Sequence, residues 1–512
     1  MPLSVFAINL LSGNLLLLAS VLTVFAILIT KVGMKFGVPS LLLFLILGMV
    51  IGKDGVGLRF DNREMAESIG HFAMTIILFT GGLETSLSET KPVMRQGVLL
   101  STLGVLMTVL LTGAFIRVAA GGVAHGIGYS FLTCIMIAAV MGSTDSASVF
   151  SILRGKKMHL RERLAPMLEL ESGSNDPMAY LLTIISVNLI LSPHPVSGAA
   201  GTIWTGAWIL VLQIVVGLLV GLGAGYGGKL LIESISLSNT SLYSILILSL
   251  AFFTNSVAGL LHGNGLLALY VSAIVIGNKA RIPQKKDVLK FFDGMTWLMQ
   301  LLMFMMLGLL ARPSQMLGVI GPAILIGLFM MLVARPASVF LCLLPFKNIS
   351  LKAKIFVSWV GLKGAGPILF ALYPVIAGVD GSSDIFNIVF IITLLSLVIQ
   401  GTSLYTVSKW LNLSYEEDPA IESFGIDIPE EMGLLRDHTV TEEELANGAT
   451  LRDLCLPHGI RVIMVRRNGR FLVPHGSMEL KPDDHLVIIM GESDDDLLEI
   501  PDIPEMPKIP EV

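Results

Sequence analysis

Two carboxylates, an amide and two hydroxyls lie together in the run Glu171-Ser172-Gly173-Ser174-Asn175-Asp176-Pro177. The run falls in an otherwise apolar stretch, residues 164–191, that is long enough to cross a bilayer. Ionisable side chains are costly at membrane depth and usually mark an ion pathway. Asp176 is the strongest candidate, because a carboxylate in a low-dielectric site holds a proton readily, and an alkali cation bound by the same oxygens competes with that proton. The run indicates a site where a cation and a proton bind in turn.

Neutral oxygens near Asp176 can complete such a site, since hard cations prefer oxygen ligands. Ser172, Ser174 and Thr144 offer hydroxyl groups, and Asn175 offers an amide oxygen. Pro177 removes one helical hydrogen bond and so frees a backbone carbonyl one turn earlier. These residues form the predicted ligand set around the carboxylate.

Glu171 has two interpretations that the residues leave open. It can bind the cation directly, or it can pair with Arg335, an intramembrane guanidinium that needs a partner. In the second case the pair would hold two helices together.

Two other apolar spans carry a charge among small residues. Asp145 lies in Met141-Gly142-Ser143-Thr144-Asp145-Ser146, and Lys363 lies in Gly361-Leu362-Lys363-Gly364-Ala365-Gly366-Pro367. Interrupted helices at matching positions of two inverted repeats point to a transporter site. Close helix packing would explain the glycines, but it does not explain the two charges. We therefore predict two unwound helices beside the site.

The elements that position these residues are predicted to be membrane helices. Hydrophobic residues make up 54% of the chain and charged residues 14%, and apolar runs of spanning length recur. The fold class is therefore an all-α polytopic membrane protein with a small C-terminal cytosolic α+β domain. The predicted spans number about thirteen: residues 10–30, 38–52, 69–87, 97–118, 127–148, 164–191, 203–230, 242–261, 265–277, 291–311, 319–345, 354–376 and 385–410.

Lys and Arg concentrate in the odd-numbered connections between these spans. The positive-inside rule then places the N-terminus outside and the C-terminus in the cytoplasm, in the cytoplasmic (inner) membrane. No basic region followed by a small-residue cleavage site comes after Met1, so we expect no signal peptide. The scattered cysteines Cys134, Cys342 and Cys455 are expected to be free thiols.

The composition changes sharply after residue 411. Residues 412–512 contain 23 acidic and 8 basic side chains, whereas residues 1–411 contain 16 and 26. Short β-prone runs at 461–465, 471–473 and 485–490 alternate with turn signals, which predicts antiparallel strands. The predicted organisation is a transmembrane domain, an acidic linker, a cytosolic domain and a Pro-rich disordered tail: residues 1–411, 412–432, 433–496 and 497–512.

The membrane motifs together resemble the monovalent cation:proton antiporters of the bacterial sodium/proton exchanger type. Glu171-Ser172 to Asn175-Asp176-Pro177 is similar to the Glu-x-x-x-Asn-Asp signature of that family, Thr144-Asp145 to its Thr-Asp pair, and Trp359-Val360-Gly361-Leu362-Lys363-Gly364 to its twelfth-span motif. The similarity covers about residues 10–410. Lys363 departs from the pattern, because the family usually has Arg there, and Lys lacks the planar fork of the guanidinium.

The resemblance implies a role for each site residue. Asp176 would bind cation and proton alternately, with Thr144 and Ser172 as further ligands; Asn175 and Asp145 would arrange the unwound site; Glu171 and Arg335 would brace it. It also implies electroneutral exchange by a homodimer, in which a core domain moves against a dimerisation domain. No cofactor is expected, and the substrates would be K⁺ or Na⁺ and H⁺.

The tail, from about residue 433 to 494, resembles the C-terminal regulatory module of potassium-conductance regulators. Gly448-Ala449-Thr450-Leu451-Arg452-Asp453-Leu454 and Pro474-His475-Gly476 carry this likeness. Such modules pair with each other and can bind a small ligand, for example a nucleotide or a cyclic dinucleotide. The presence of this module after the membrane domain favours potassium over sodium as the transported cation.

Other classes fit less well. Gly225-Tyr226-Gly227 lacks the Thr-Val-Gly-Tyr-Gly loop of a potassium filter. The motifs of intramembrane hydrolases are absent from the sequence, so we expect no enzyme activity. An acidic tail and a net charge of −5 argue against nucleic acid as a partner. A transport-inactive sensor remains an alternative from sequence alone.

Overall fold

The computed structural model describes residues 15–36, 39–58, 60–122, 130–154, 158–192, 198–237, 239, 241–416, 435–440, 445, 450–453, 460–467, 470–482 and 484–490. The chain forms two compact units, Met1–Tyr415 and Glu416–Val512. The first unit is almost entirely helical. Its α-helices are α1 Leu15–Phe36, α2 Ser40–Ile51, α3 Arg63–Glu84, α4 Leu87–Thr90, α5 Met94–Leu99, α6 Val105–Gly122, α7 Phe131–Val140, α8 Ser146–Arg154, α9 Leu164–Leu191, α10 Gly198–Ser234, α11 Ser241–Leu260, α12 Gly265–Lys279, α13 Lys285–Leu310, α14 Pro313–Met316, α15 Ile320–Phe329, α16 Arg335–Leu343, α17 Leu351–Trp359, α18 Ala365–Ile376, α19 Ser382–Ser396 and α20 Thr402–Trp410.

Seven helical stretches in the described residues are long and apolar enough to cross a membrane unaided. Shorter apolar helices accompany them, including α2, α7, α12 and α18. The expected polytopic helical architecture is confirmed, whereas the number of thirteen spans stays a prediction. The seven stretches are Arg63–Glu84, Leu87–Ala119, Ile203–Ser234, Ser241–Leu260, Lys285–Leu310, Pro313–Leu343 and Ser382–Trp410.

Helix ends differ from the predicted span ends where a cap, and not hydropathy, decides them. The third span was expected from residue 69, but α3 begins at Arg63, because the Asn62 side chain accepts a hydrogen bond of 2.9 Å from the Met65 N–H. The first helix is described from Leu15 and continues to Phe36. Residues 10–14 of the predicted first span lie outside the described residues.

Both predicted interruptions are present. Helix α7 ends at Val140 and α8 begins at Ser146, which leaves an unwound segment at residues 141–145. Helix α17 ends at Trp359 and α18 begins at Ala365, which leaves a second unwound segment at residues 360–364. We call these segments the first break and the second break.

Three π-helical segments, which the apolar pattern does not predict, also occur in the described part of the bundle. They are Leu100–Gly104, Met330–Ala334 and Leu397–Gly401. Short 3₁₀ segments at Lys91–Val93 and Leu317–Val319 complete the helical stretches. A π-helical turn inserts one residue and re-aims the side chains that follow it, and such turns are frequent at functional sites.

The bundle has two ends that can be told apart by hydrogen bonds. Strand β1, Met158–Leu160, pairs with β2, Ser414–Glu416, and the Arg161 N–H donates to the Leu413 carbonyl at 2.8 Å. We call this end, where the chain leaves α20, the tail side, and the opposite end the far side. Helix α9 begins on the tail side. So does α17, since the Ser350 N–H donates to Glu162 Oε2 at 3.3 Å.

Helix α3 runs in the opposite direction and ends on the tail side. The evidence is a cavity of about 230 Å³ whose lining combines Pro92 and Gln96, which follow α3 in the chain, with Glu162 and Asn348. The first residues of α3 therefore lie on the far side.

The C-terminal unit contains a four-stranded antiparallel sheet. Its strands are β3 Leu435–Thr439, β4 Ile460–Arg467, β5 Arg470–Leu472 and β6 His485–Met490, in the order β3-β6-β4-β5 with a bulge in β4 between Val462 and Met464. Val440, Val465, Leu480, Leu486 and Ile488 form its buried core.

The three predicted strand regions correspond to β4, β5 and β6, whereas β3 was not predicted. The predicted turn at 468–469, most of the linker and the tail 497–512 lie outside the described residues, and so do Cys455 and the ends of the cytosolic domain. The domain boundaries therefore stay a prediction.

An ion pair links β4 to the turn that precedes β6. Arg467 Nε donates to Asp484 Oδ1 at 2.8 Å and Arg467 Nη2 to Oδ2 at 2.6 Å, while the Lys481 N–H donates to the same Oδ2 at 2.8 Å. Burial raises the pKa of Asp484, but the hydrogen bonds from Arg467 and Lys481 outweigh burial and hold that pKa below its ordinary value.

We predict that Asp484→Asn lowers the unfolding free energy of the C-terminal unit by about 1–3 kcal/mol, because it removes a charge-assisted bidentate contact. The contribution of Asp484 is present above its unfolded pKa of about 3.9 and is lost as the pH falls through its lower folded pKa. Hydrogen exchange of the β4 and β6 amides in the full chain, measured against pH, tests both statements. Asp453→Asn, at an exposed carboxylate that bonds the neighbouring Thr450, is the control and should have a smaller effect. Equal effects of both variants would contradict the prediction.

Candidate functional site

The two breaks cross and hold each other. The Asp145 N–H, at the end of the first break, donates to the Leu362 carbonyl of the second at 2.8 Å. Lys363 Nζ donates in the opposite direction, to the Ser143 carbonyl at 2.8 Å. A Cβ at Gly364 would lie 2.3 Å from Asp145 Oδ2, so glycine is required at this approach. Each break thus satisfies backbone groups that the other exposes.

Helix α9 holds the first break through two side chains on one face. Ser172 Oγ donates to the Thr144 carbonyl at 2.8 Å and accepts from the Ser146 N–H at 3.0 Å. Asn175 Oδ1 accepts from the Thr144 N–H at 3.2 Å, and Asn175 Nδ2 donates to Thr144 Oγ1 at 2.5 Å. Asn175 is fully buried. The structure therefore brings Thr144, Ser172 and Asn175 together, as expected for one site.

Asp145 caps the helix that follows the first break. Its Oδ1 accepts from the Ser148 N–H at 3.0 Å, and its Oδ2 accepts from Ser148 Oγ at 2.5 Å. A side-chain oxygen that binds the N–H three residues later is the usual helix N-cap arrangement. This contact gives Asp145 a definite structural task at the restart of the helix.

Asp176 lies beside the crossing, near the middle of α9. Its Oδ1 accepts a hydrogen bond from Ser143 Oγ, in the first break. A Cβ at Gly366, in the first turn of α18, would lie 3.5 Å from the same oxygen, so the positive end of that helix lies near the carboxylate. Asp176 is partly accessible, unlike the fully buried Asn175 beside it. A partly exposed carboxylate next to hydroxyl oxygens has the chemistry to bind either a cation or a proton.

Ser143 was not among the predicted site residues, although it is the neighbour of Thr144 and contacts Asp176 directly. Sequence alone gave it no more weight than any other small residue of the break. The only available signal was its position within a polar interruption of an apolar span.

The second break depends on two further residues that were not predicted. The Lys363 N–H donates to Ser396 Oγ at 2.9 Å, and Ser396 Oγ donates to Gln400 Oε1 at 2.6 Å. Gln400 Nε2 then donates to the Trp359 carbonyl at 2.8 Å. Gln400 lies in the π-helical segment Leu397–Gly401 and is 1% exposed. A buried amide in an apolar span is itself a signal, and it could have identified Gln400.

Arg335 and Glu171 form a buried ion pair. Arg335 Nη1 lies 2.5 Å from Glu171 Oε1, and the two side chains are 6% and 1% exposed. Arg335 directly follows the π-helical segment Met330–Ala334, and its Nη2 donates to the Val357 carbonyl at 3.5 Å. Of the two interpretations of Glu171, the structure shows the pairing that joins α9 to α16. Cation binding by Glu171 stays a prediction.

The fold and the site together are typical of one class of membrane protein. Two interrupted helices that cross beside an accessible intramembrane carboxylate are the arrangement of an ion-coupled membrane transporter. Residues 19–410 match the family described as the sodium/hydrogen exchanger, transmembrane, and residues 435–500 match the TrkA-C domain. The chain belongs to the sodium/hydrogen exchanger family, whose members are cation/proton antiporters and not enzymes.

Several curated proteins are similar over most of their length. The potassium/proton antiporter NhaP2 of Shewanella oneidensis is 34% identical over 485 residues, which are 93% of this chain and 81% of that protein. The potassium/proton antiporter NhaP of Alkalimonas amylolytica is 34% identical over 507 residues, 95% of this chain and 82% of that protein. The sodium/proton antiporter NhaH of Halobacillus aidingensis is 30% identical over 283 residues, 54% of this chain and 68% of that protein.

A solved structure has the same fold. The sodium/proton antiporter MjNhaP1 of Methanocaldococcus jannaschii superposes with a TM-score of 0.63 and 22% sequence identity, over 80% of this chain and 98% of that one. At this identity the likeness shows the fold alone.

We predict that Glu171→Gln or Arg335→Gln alone destabilises the membrane unit by about 3–5 kcal/mol, because each leaves the partner charge buried and uncompensated. The double variant should lose less than the sum of the single losses, since both charges are then gone. Thermal unfolding of the four proteins in one detergent gives the coupling. Strictly additive losses would show that the two side chains do not depend on each other.

Proposed function

We propose that this protein exchanges a monovalent cation, with potassium preferred over sodium, for protons across the cytoplasmic membrane. The observation that supports the proposal is the accessible Asp176 carboxylate at the crossing of the two breaks, with the Ser143 hydroxyl on one of its oxygens. Asp176 binds either the cation or the proton, and the site opens to one face of the membrane at a time.

The neighbouring oxygens suit an alkali cation. Ser143 Oγ already contacts the carboxylate, Ser172 lies one helical turn before Asp176 on α9, and Thr144, in the first break, is hydrogen-bonded to Ser172 and Asn175. When the proton occupies Asp176, the hydroxyls and carbonyls keep the hydrogen bonds that they have within the crossing. When the cation occupies it, the same oxygens turn their lone pairs to the ion.

The charge balance of the site supports one-for-one exchange. Asn175 is a neutral amide, Glu171 is neutralised by Arg335, and Asp145 is held as a helix cap by Ser148. Asp176 is then the carboxylate that cycles, so one cation replaces one proton and no net charge moves.

Potassium is favoured by the relatives and by the attached module. Two similar proteins that match more than nine-tenths of the chain are named potassium/proton antiporters, and the TrkA-C domain follows the membrane unit. Sodium is the second candidate, because the similar NhaH is named a sodium/proton antiporter.

The cytosolic unit is proposed to regulate transport by binding a small ligand, a nucleotide or a cyclic dinucleotide. The protein is proposed to act as a homodimer that pairs through both units, with its N-terminus outside and its C-terminus in the cytoplasm. The tail side is then the cytoplasmic side, as the basic connections indicate.

We predict that Asp176→Asn abolishes cation-driven proton movement, because an amide neither binds a proton nor neutralises a cation. The protein is reconstituted in proteoliposomes with a trapped pH dye, and K⁺ or Na⁺ is added outside. Asp380→Asn, at an exposed carboxylate beyond α18, is the matched control and should transport normally. Transport by Asp176→Asn at the wild-type rate would refute the mechanism. If the wild-type protein, with and without its tail, shows no proton movement with either cation, a sensor is favoured.

Ser143→Ala should weaken apparent cation affinity about tenfold or more, because a hydrogen bond to a charged group contributes roughly 1.5–3 kcal/mol. The maximal rate should change less. Ser249→Ala removes a hydroxyl that bonds its own helix at Ile245 and serves as the control. An unchanged cation concentration at half-maximal rate in Ser143→Ala would show that Ser143 is not part of the site.

A further inference from the structure

A hydrogen bond joins two helices on the far side of Asp176. His71 Nε2, on α3, lies 3.1 Å from the Tyr180 hydroxyl, on α9, and the two rings meet edge to face at 5.3 Å. Tyr180 is four residues beyond Asp176, so it lies on the same helix face, one turn toward the far side. The contact therefore lies between Asp176 and the far end of the bundle.

Close packing surrounds this contact. A Cβ at Gly70 would lie 2.2 Å from Leu369 Cδ1, so α3 and α18 touch without a gap. Met74, the next residue on the same face of α3, is 5% exposed, and its Cε would lie 3.6 Å from a Cβ at Gly366. These contacts leave no opening between α3 and α18 at Gly70 and Met74.

Aromatic rings hold Tyr180 from the other side. Phe370 of α18 lies 5.5 Å from it between ring centroids, and Tyr373 of the same helix lies 6.5 Å away, edge to face. Tyr180 thus lies where three helices meet.

The tail-side half of the same α3 face is looser. Ile77 is half-buried, Gly81 is exposed, and a Cβ at Gly81 would meet nothing within 4 Å. On α9, Glu169 and Asp176 are both partly accessible and share a face. Tyr270 packs against Gly173 on this half of α9, so a route from the tail side to Asp176 would pass the Tyr270 ring.

We infer that the His71–Tyr180 hydrogen bond is a far-side latch: it holds the route closed while Asp176 faces the tail side, and it must break for Asp176 to face the far side. The inference rests on the proposed alternating exposure of Asp176. The bond joins α3 to α9, so a displacement of α9 that carries Asp176 toward the far side stretches it. Removal of the tyrosine hydroxyl leaves the ring packing and takes away this bond.

The test measures the fraction of protein that is open to the far side. It uses a thiol one helical turn from His71, toward the tail side. Met74→Cys is introduced after Cys134, Cys342 and Cys455 have been replaced by Ala, and intact cells are treated with a membrane-impermeant maleimide from outside. Met74 is buried in this conformation, so the labelling rate is proportional to the population of the open state. Tyr180→Phe should raise that rate about two- to tenfold, the effect of one ordinary hydrogen bond.

Tyr373→Phe is the matched control, because it removes a hydroxyl from the neighbouring ring and leaves the latch intact. Two further variants separate the bond from general loosening. His71→Leu should match Tyr180→Phe without adding to it in the double variant, and His71→Gln, which can still bond the hydroxyl, should label close to the parent rate. An unchanged rate in Tyr180→Phe, or an equal rise in Tyr373→Phe, would overturn the latch.

The labelling assay requires no transport, so it is independent of the test of Asp176. If the protein exchanges ions but all variants are labelled at the same rate, the proposed function is supported and the latch is refuted. If the protein shows no cation-driven proton movement in proteoliposomes but the variants show the predicted labelling rates, the latch is supported and the exchange mechanism is refuted.

Discussion

A helix that unwinds inside a membrane exposes backbone N–H and C=O groups, and no water is there to bind them. The two breaks of this protein meet that constraint by crossing, through the Asp145 N–H on Leu362 O and Lys363 Nζ on Ser143 O. Other helices supply the rest: Ser172 and Asn175 from α9, and Ser396 with Gln400 from the last helical stretch. The pairing of the breaks also fixes the position of Ser143, because its backbone carbonyl accepts from Lys363 while its hydroxyl donates to Asp176 Oδ1.

The charged side chains of α9 also make different kinds of contact. Arg335 is placed against Glu171 by a π-helical segment that directly precedes it, and this pair fixes α9 to α16. Asp176, five residues further along α9, is contacted by a hydroxyl. A hydroxyl stabilises the carboxylate but can rotate to admit another ligand, whereas a guanidinium in bidentate contact would hold it permanently. Glu171 thus has a structural task, whereas the hydroxyl contact leaves the Asp176 carboxylate able to accept another ligand.

Sequence reasoning predicted the class, both breaks and the cluster around Asp176, because intramembrane charges and amides are rare enough to stand out in an apolar span. It did not predict Ser143, although Ser143 contacts Asp176, since a serine in a membrane helix usually bonds its own backbone, as Ser249 does. The π-helical segments were also missed, because one inserted residue changes a helix face without changing its hydropathy. Helix ends depended on caps such as Asn62, and strand β3 lies beyond the acidic linker, where the alternation of apolar residues is weak.

The short ladder between β1 and β2 has a mechanical consequence. Strand β2 is the last part of the chain before the second unit, Leu413 beside it is 2% exposed, and its partner β1 ends four residues before α9 begins. Tension on the chain beyond Glu416 is therefore applied to β2, and β2 is paired with β1, the strand that lies just before the helix of Asp176 in the chain. A pull on β2 thus acts, through its pairing with β1, on the start of α9.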